Sequence, residues 1–537
     1  MYGTYEVADG GEFMALGMTL GVAHPPGYAL ASFLLRVLLA PPLGGPEFRM
    51  NLLGPLAGGF AVALVWLLTS RLTSRLVAFS ITLFVATQPV FVPEALGAKG
   101  GVYFVNVCLV TGLLLVHFTA SPRTILKSGF MVGLATSLHL LLGLLLAVSV
   151  LFTYCCLRSV RRQLSLRTCF LALFILLIAA SPVIATPIRS AVTPAICWGI
   201  LSRLDGLLKL GPWWHFWGPL ITATSPLIEW SPYRIVLILT AVTILGNLAG
   251  IRGGAWRPCF LCSGTLATTA ILLFLAKEQY RDHLQVALVL LPGSATGFAG
   301  LAQRLGGNRQ GRIVNCSLAL ILIALSLGNL KGLHAADRSR FYLLDDYVRN
   351  ISAIAGKGPS VLIWLGDYDY DAARYRQVVH GDFPEVALLH APIIMVRAYG
   401  NHLARLRAEY PKFVMPPQFA RQGIPRSPGE LDSLLADTVK ANSDVPVYAE
   451  SSFIMEPPTW PQLRQLHHSD AGLVLAYSEA RQRKRNIISR LRFRGLHDPG
   501  GDKWTRLLIR QIRTALFPTS SGRRPPATRP RSQRPGG

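Results

Sequence analysis

Charge is what this 537-residue sequence has least of: 15% of its residues are Asp, Glu, Lys or Arg and 51% are hydrophobic. That balance excludes an ordinary soluble protein of this length. Acid is scarcer than base, 28 residues against 53, leaving a formal net charge of +25. Nucleic acid is not thereby implied as a partner, because much of the base sits in short loops between apolar segments and in an Arg-Pro tail, where membrane topology accounts for it. Cysteine is absent after Cys316, so the last part of the chain has no disulfide framework. The pair Cys259-Phe-Leu-Cys262 has neither a second pair nor nearby histidines, which argues against a metal site. Residues 1–11 contain no apolar core and are not read as a cleavable signal peptide.

What the chain does have is long apolar segments, at 50–70, 75–95, 101–118, 126–138, 139–157, 168–188, 234–250, 258–277, 284–302 and 313–331. They predict an α-helical integral membrane protein with about ten transmembrane helices. The basic loops around Arg71, Arg123, Arg161, Arg252 and Arg309 fall on one side, which the positive-inside rule makes cytoplasmic. Acids such as Glu6, Asp9, Glu12, Glu47, Glu94 and Asp205 fall on the other. This bookkeeping closes only if 28–43 lies along the membrane or re-enters it, and if 126–157 is two short spans meeting near His139. The resulting division is a first external loop with an acidic motif and an interfacial or re-entrant helix (1–49), a polytopic membrane part (50–331), an extracytoplasmic α/β domain (332–515) and a disordered basic tail (516–537).

Within the last globular part, a helix at 340–354, a strand at 360–365, an acidic turn at 366–371, a helix to about 379 and a strand at 385–389 are expected. Asp367, Asp369 and Asp371 in that turn are read either as cation ligands or as a solvated turn, since the Gly and final Glu of an EF-hand loop are missing. The external stretch 189–234, rich in tryptophan from Trp198 to Trp230, is read as an interfacial belt or as the lining of a sugar or lipid site.

The stretch with the most chemistry lies near the start. Asp9 and Glu12 stand three residues apart where a helix can begin, and His24 follows in a Pro-Pro-Gly turn. One reading is a capped interfacial helix, with Asp9 as N-cap and Glu12 at its third position; the other is a pair of site carboxylates. His139, between two short spans, is read as a site lining or as a satisfied core residue.

Asp9-Gly-Gly-Glu-Phe13 followed by Leu20-Gly-Val-Ala-His-Pro-Pro-Gly-Tyr28 resembles the opening motif of a bacterial membrane-protein family of undefined function that is related to a eukaryotic protein O-mannosyltransferase, within the GT-C class of integral-membrane glycosyltransferases. The likeness continues at Phe48-Arg-Met-Asn-Leu-Leu53, Val102-Tyr-Phe-Val-Asn106, Leu138-His-Leu140 and Pro187-Ile-Arg-Ser190, and in the globular part at Asp346-Tyr-Val-Arg-Asn350, Gly366-Asp-Tyr-Asp369 and Phe383-Pro-Glu-Val386. The family ordinarily has a membrane helix before the acidic motif, a glutamate where Gly101 stands, an aspartate where Thr193 stands and Asp-Asn-Asp where Asp367-Tyr-Asp369 stands.

The resemblance implies a GT-C-like fold and transfer of a sugar from a polyprenyl-phosphate-linked donor to a protein or glycan acceptor on the extracytoplasmic face of a bacterial inner membrane. It implies Asp9 as general base, Glu12 as its helper or as an acceptor-binding group, and His24, His139, Arg189 and Tyr103 as donor-phosphate or substrate-binding residues. A donor with a single phosphate needs little neutralisation, so no obligatory cofactor or metal is expected; dependence on a divalent ion is left open. A catalytically inactive paralogue and a lipid or polymer transporter are the alternatives, although no internal repeat of the transporter kind is visible.

Overall fold

A computed structural model of the chain describes residues 9–23, 28–88, 91–117, 122–156, 165–191, 262–263, 284–305, 309–330, 338–339, 341–355, 358–364, 366–394, 406–417, 425, 427–450, 460–466, 468–470, 473–477, 491, 493–494 and 503–516. The first part of these is helical. Helix α1 (Gly10–Thr19) and α2 (Ala29–Leu38) are followed by α3 (Pro46–Asn51) and α4 (Leu53–Leu72), which run on as one rod. Next come α5 (Arg75–Ala86), α6 (Phe91–Glu94), α7 (Ala98–Val116), α8 (Pro122–Leu138), α9 (Leu140–Cys156), α10 (Leu166–Ala179), α11 (Pro182–Ala191), α12 (Leu284–Leu305) and α13 (Arg309–Leu330).

Among the described residues three helices are long and apolar enough to cross a membrane: Pro46–Leu72, Ala98–Val116 and Gln310–Leu330. In hydrocarbon a backbone must satisfy its own hydrogen bonds, and a charge-free run such as 53–70 does so as a helix. The outward faces of α10 and α13 carry exposed Phe170, Phe174, Leu177, Leu320 and Ile321, apolar surface of the kind that faces lipid. Helix α2 has 10 residues, about 15 Å, too short to cross. The break between α8 and α9 falls at His139, where two short segments were expected to meet. Of the expected spans, 234–250 and nearly all of 258–277 lie outside the described residues, as does the tryptophan-rich stretch beyond Ala191.

Helices α4 and α7 cross closely because glycine lets their backbones approach. A Cβ on Gly101 would stand 2.6 Å from the Gly54 nitrogen and from the Leu53 carbonyl carbon. The family's glutamate has no room there, so this departure is a packing feature of the crossing.

The second part is α/β: α14 (Leu343–Ala355), β1 (Ser360–Trp364), α15 (Asp367–Tyr375) continued by a π-helical turn (Arg376–His380), β2 (Val386–His390), α16 (Ala391–Ile394), α17 (Pro428–Ala441), β3 (Val447–Glu450), α18 (Pro461–Gln465), β4 (Ser469–Asp470), β5 (Val474–Ala476) and α19 (Lys503–Leu516). The strands form one sheet in the order β2-β1-β3-β5-β4, with β1 parallel to β2 and β3, and β5 antiparallel to both β3 and β4. Ser-Val-Leu-Ile-Trp and Val-Ala-Leu-Leu-His are buried at every position, the unbroken apolar run of a strand covered on both faces.

The acidic stretch at 366–371 is not a solvated turn. It is the first turn of α15, with Asp369 and Asp371 buried. Asp369 hydrogen-bonds Glu450 at the end of β3, Glu450 accepts from the Tyr347 hydroxyl, and Tyr370 stacks on His390 with ring centroids 4.3 Å apart. Burial holds the Asp369 carboxyl above the ordinary carboxylate range, against the opposing effect of the Glu450 hydrogen bond. Asp345 takes Arg376 at 2.6 Å and Arg349 at 3.0 Å, and Asp346 holds Arg494 at 2.6 Å. Asp345, Asp346 and Asp369 therefore tie elements of this domain together.

Candidate active site

The site is assembled on α1, which lies between the two parts of the molecule. Residues 10–17 of α1 are all buried. One side of the helix packs on α2 and α7, the other on α15, so tightly that a Cβ on Gly11 would come within 2.6 Å of Ala372 Cα and N. Only glycine permits that approach.

Asp9 occupies the N-cap position of α1, as a helix-starting reading predicts, but its side chain makes no capping hydrogen bond. It pairs instead with Lys99 of α7, Oδ2 to Nζ 3.0 Å, with side chains 31% and 15% exposed respectively. Glu12, one turn on, is fully buried. The two carboxylates thus share a helix and differ in access: Asp9 is partly exposed and Glu12 is not.

Lys99 is a residue that sequence reasoning missed. Its signal was a lone base at the start of an apolar helix, four residues before Tyr103, which is helical spacing for one face. The Lys99 ammonium lies 5.9 Å from the Tyr103 ring centroid, so Tyr103 joins the site through it. His139 joins from the other side. Phe13 of α1 meets Tyr28 edge-on at 5.2 Å, and Tyr28 meets His139 edge-on at 5.5 Å. His139 Nδ1 accepts from the Leu142 N–H at 3.3 Å, capping α9 and fixing the ring in the break between helices. Tyr28 has φ 37°, the left-handed region that costs a bulky residue energy, and sits directly between α1 and His139.

Arg189 is placed elsewhere. Its Nε donates to the Leu20 carbonyl at 2.9 Å and its Nη2 to the Thr19 carbonyl at 2.7 Å, at the C-terminal end of α1. A cation there complements the helix dipole and the orphan carbonyls. Ten residues of helix, about 15 Å, separate it from the Asp9 end, so the structure does not bring Arg189 and Asp9 together. His24 lies outside the described residues.

Residues 9–111 match the family described as the protein O-mannosyl-transferase TMEM260 N-terminal domain. That stretch contains Asp9, Glu12, Lys99 and Tyr103, and over it the resemblance read from the motif stands: the chain is related to that O-mannosyl-transferase family. No curated protein matches the chain in sequence. Among solved structures, the crystal structure of ArnT from Cupriavidus metallidurans in the apo state is similar over 89% of this chain and 94% of that one, with 13% identity and a TM-score of 0.50. At that identity the likeness establishes the fold alone: mostly helical, ArnT-like, of the GT-C type.

Proposed function

We propose that the chain is a multi-pass membrane glycosyltransferase that moves a sugar, mannose by the family's description, from a polyprenyl-phosphate-linked donor to an acceptor hydroxyl on the extracytoplasmic face. Relation to the O-mannosyl-transferase family and an ArnT-like fold support the glycosyltransferase class. The observation that carries the site assignment is the Asp9–Lys99 pair: a partly exposed carboxylate beside a cation.

In this reading Asp9 is the general base. The acceptor oxygen attacks the anomeric carbon and its proton passes to the Asp9 carboxylate. The bond from the anomeric carbon to the phosphate oxygen breaks, and its electron pair leaves with the polyprenyl phosphate. Lys99 gives the negative charge gathering on that phosphate a partner, the role the sequence resemblance assigned to Arg189 and His24. Tyr103 and His139 line the same region, and the buried Glu12 acts on Asp9 or its helix rather than on the acceptor. The polytopic arrangement of about ten spans, with the α/β domain extracytoplasmic, belongs to this same proposal.

The test is transfer from polyprenyl-phosphate mannose to a peptide containing serine and threonine, by purified protein in detergent. Asp9→Asn keeps shape and removes only charge, so transfer is expected to fall by about 10²–10⁴-fold with folding intact. Wild-type transfer by Asp9→Asn would remove the base from this helix. A full-length protein inactive on every polyprenyl-phosphate sugar would favour the inactive-paralogue reading instead.

A further inference from the structure

Helix α3 is only six residues long, yet it touches both halves of the molecule. At its start, Glu47 Oε1 accepts a hydrogen bond from the Tyr375 hydroxyl at 2.7 Å and lies 2.9 Å from His380 Nε2; both partners belong to the α/β domain. The Tyr375 and His380 rings meet edge-on at 5.5 Å, so the two groups that hold Glu47 also brace each other. At its end, Asn51 Oδ1 accepts the Ala98 N–H at 3.1 Å, the first residue of α7 and the neighbour of Lys99. Asn51 is fully buried.

A second contact runs in parallel. Helix α15, which carries Tyr375 at its end, is the element against which Gly11 is pressed, two residues from Asp9. The α/β domain therefore reaches Asp9 through Ala372 and Gly11, and reaches Lys99 through Tyr375, Glu47, Asn51 and Ala98. The two residues it reaches are the two halves of one ion pair.

We propose that the α/β domain is a positioning part of the active site, with Glu47, Asn51, Tyr375 and Ala372 as positioning residues that set Asp9 and Lys99 relative to each other. The proposal rests on the assignment of Asp9 and Lys99 made above. No group in this relay touches substrate; each acts through the backbone of α1 or α7. Glu47 suits the part because one carboxylate oxygen serves two donors, so its loss frees both Tyr375 and His380 from α3 at once.

The test compares Glu47→Ala, Glu47→Gln and Tyr375→Phe in the full-length protein. Glu47→Ala and Tyr375→Phe are expected to lower kcat by about tenfold or more, as a misplaced base does, with the KM for polyprenyl-phosphate mannose within about twofold of wild type. Glu47→Gln keeps a carbonyl acceptor for the tyrosine hydroxyl and should recover most of the rate. Without any substrate, hydrogen exchange in Glu47→Ala should quicken at residues 10–19 and 98–101 and stay unchanged in the middle of α4. Unchanged exchange in both stretches would overturn the proposal, as would wild-type kcat in Glu47→Ala, or a loss of rate matched by a rise in KM. Failure of the underlying site assignment reads differently: Asp9→Asn itself would then remain active.

Discussion

Asp9 and Glu12 are the same chemistry on one helix, and their surroundings give them different access to water. Asp9 is partly exposed and paired with Lys99; Glu12 has no solvent access. Lys99→Met, which keeps the length of the side chain and removes its charge, is expected to raise the KM for the donor and lower kcat together, because in the proposed reaction the lysine meets the phosphate in the ground state and more strongly as it leaves. A change in neither constant would place the phosphate elsewhere. Asp369 answers to pH instead. Its folded carboxyl binds a proton more tightly than the ordinary value of 3.8, so its favourable contribution is complete below that pH and is lost as pH rises through the higher folded value. Asp369→Asn should therefore melt close to wild type near pH 4, and increasingly above it as pH rises toward neutrality. Parallel melting curves for the two proteins across that range would show that the fold does not raise this carboxyl.

Among the elements, the α4–α7 crossing and the α1–α15 seam are both set by glycine, and the first of them can be probed by contrast with a neighbour. Gly101→Glu puts a side chain against the Gly54 and Leu53 backbones, which have no rotamer to yield, and overpacking of this kind costs about 1–3 kcal/mol or more. Melting in detergent should fall by several degrees. A methyl group on Gly59, in helix α4, would have nothing within 4 Å of it, and Gly59→Ala should hold or raise the melting temperature, since alanine favours helix by about 1 kcal/mol. If Gly101→Glu melted like Gly59→Ala, the close crossing would be wrong. The α5 and α10 helices, at 12 and 14 residues, are shorter than the roughly 20 residues a perpendicular span uses.

On the scale of the whole molecule, the charges sort the loops and the packing joins the parts. With the eight native cysteines replaced, a cysteine introduced at Ala420 is expected to react with a membrane-impermeant thiol reagent in intact cells, and one at Ser165 is not. Reaction at Ser165 would invert the assigned sides. The helical part and the α/β part meet through α1, α3 and α15, so the domain that looks separate in sequence packs in space against the helix that carries Asp9 and Glu12.

Local residue patterns specified the long apolar helices and the first two strands, whereas the expected spans 75–95 and 168–188 are each divided into two helices, α5 and α6, and α10 and α11. A run of apolar residues has one low-energy structure in a membrane, and an unbroken apolar pentapeptide between turns has one in a sheet, so α4, α7, α13, β1 and β2 were legible, as was the break at His139 that the sorting of charges to two sides demanded. The start of α1 was legible too, because helix-starting residues such as Asp9 and Glu12 are local signals. Partnership came instead from the three-dimensional packing. Nothing near Asp9 in the chain announces Lys99, nothing near Arg189 announces the carbonyls of Thr19 and Leu20, and nothing in Gly366-Asp-Tyr-Asp369 announces that its last carboxyl is buried against Glu450. A charged side chain carries its charge in its sequence position but finds its partner, and its access to water, through long-range contacts, which residue types and spacing do not encode.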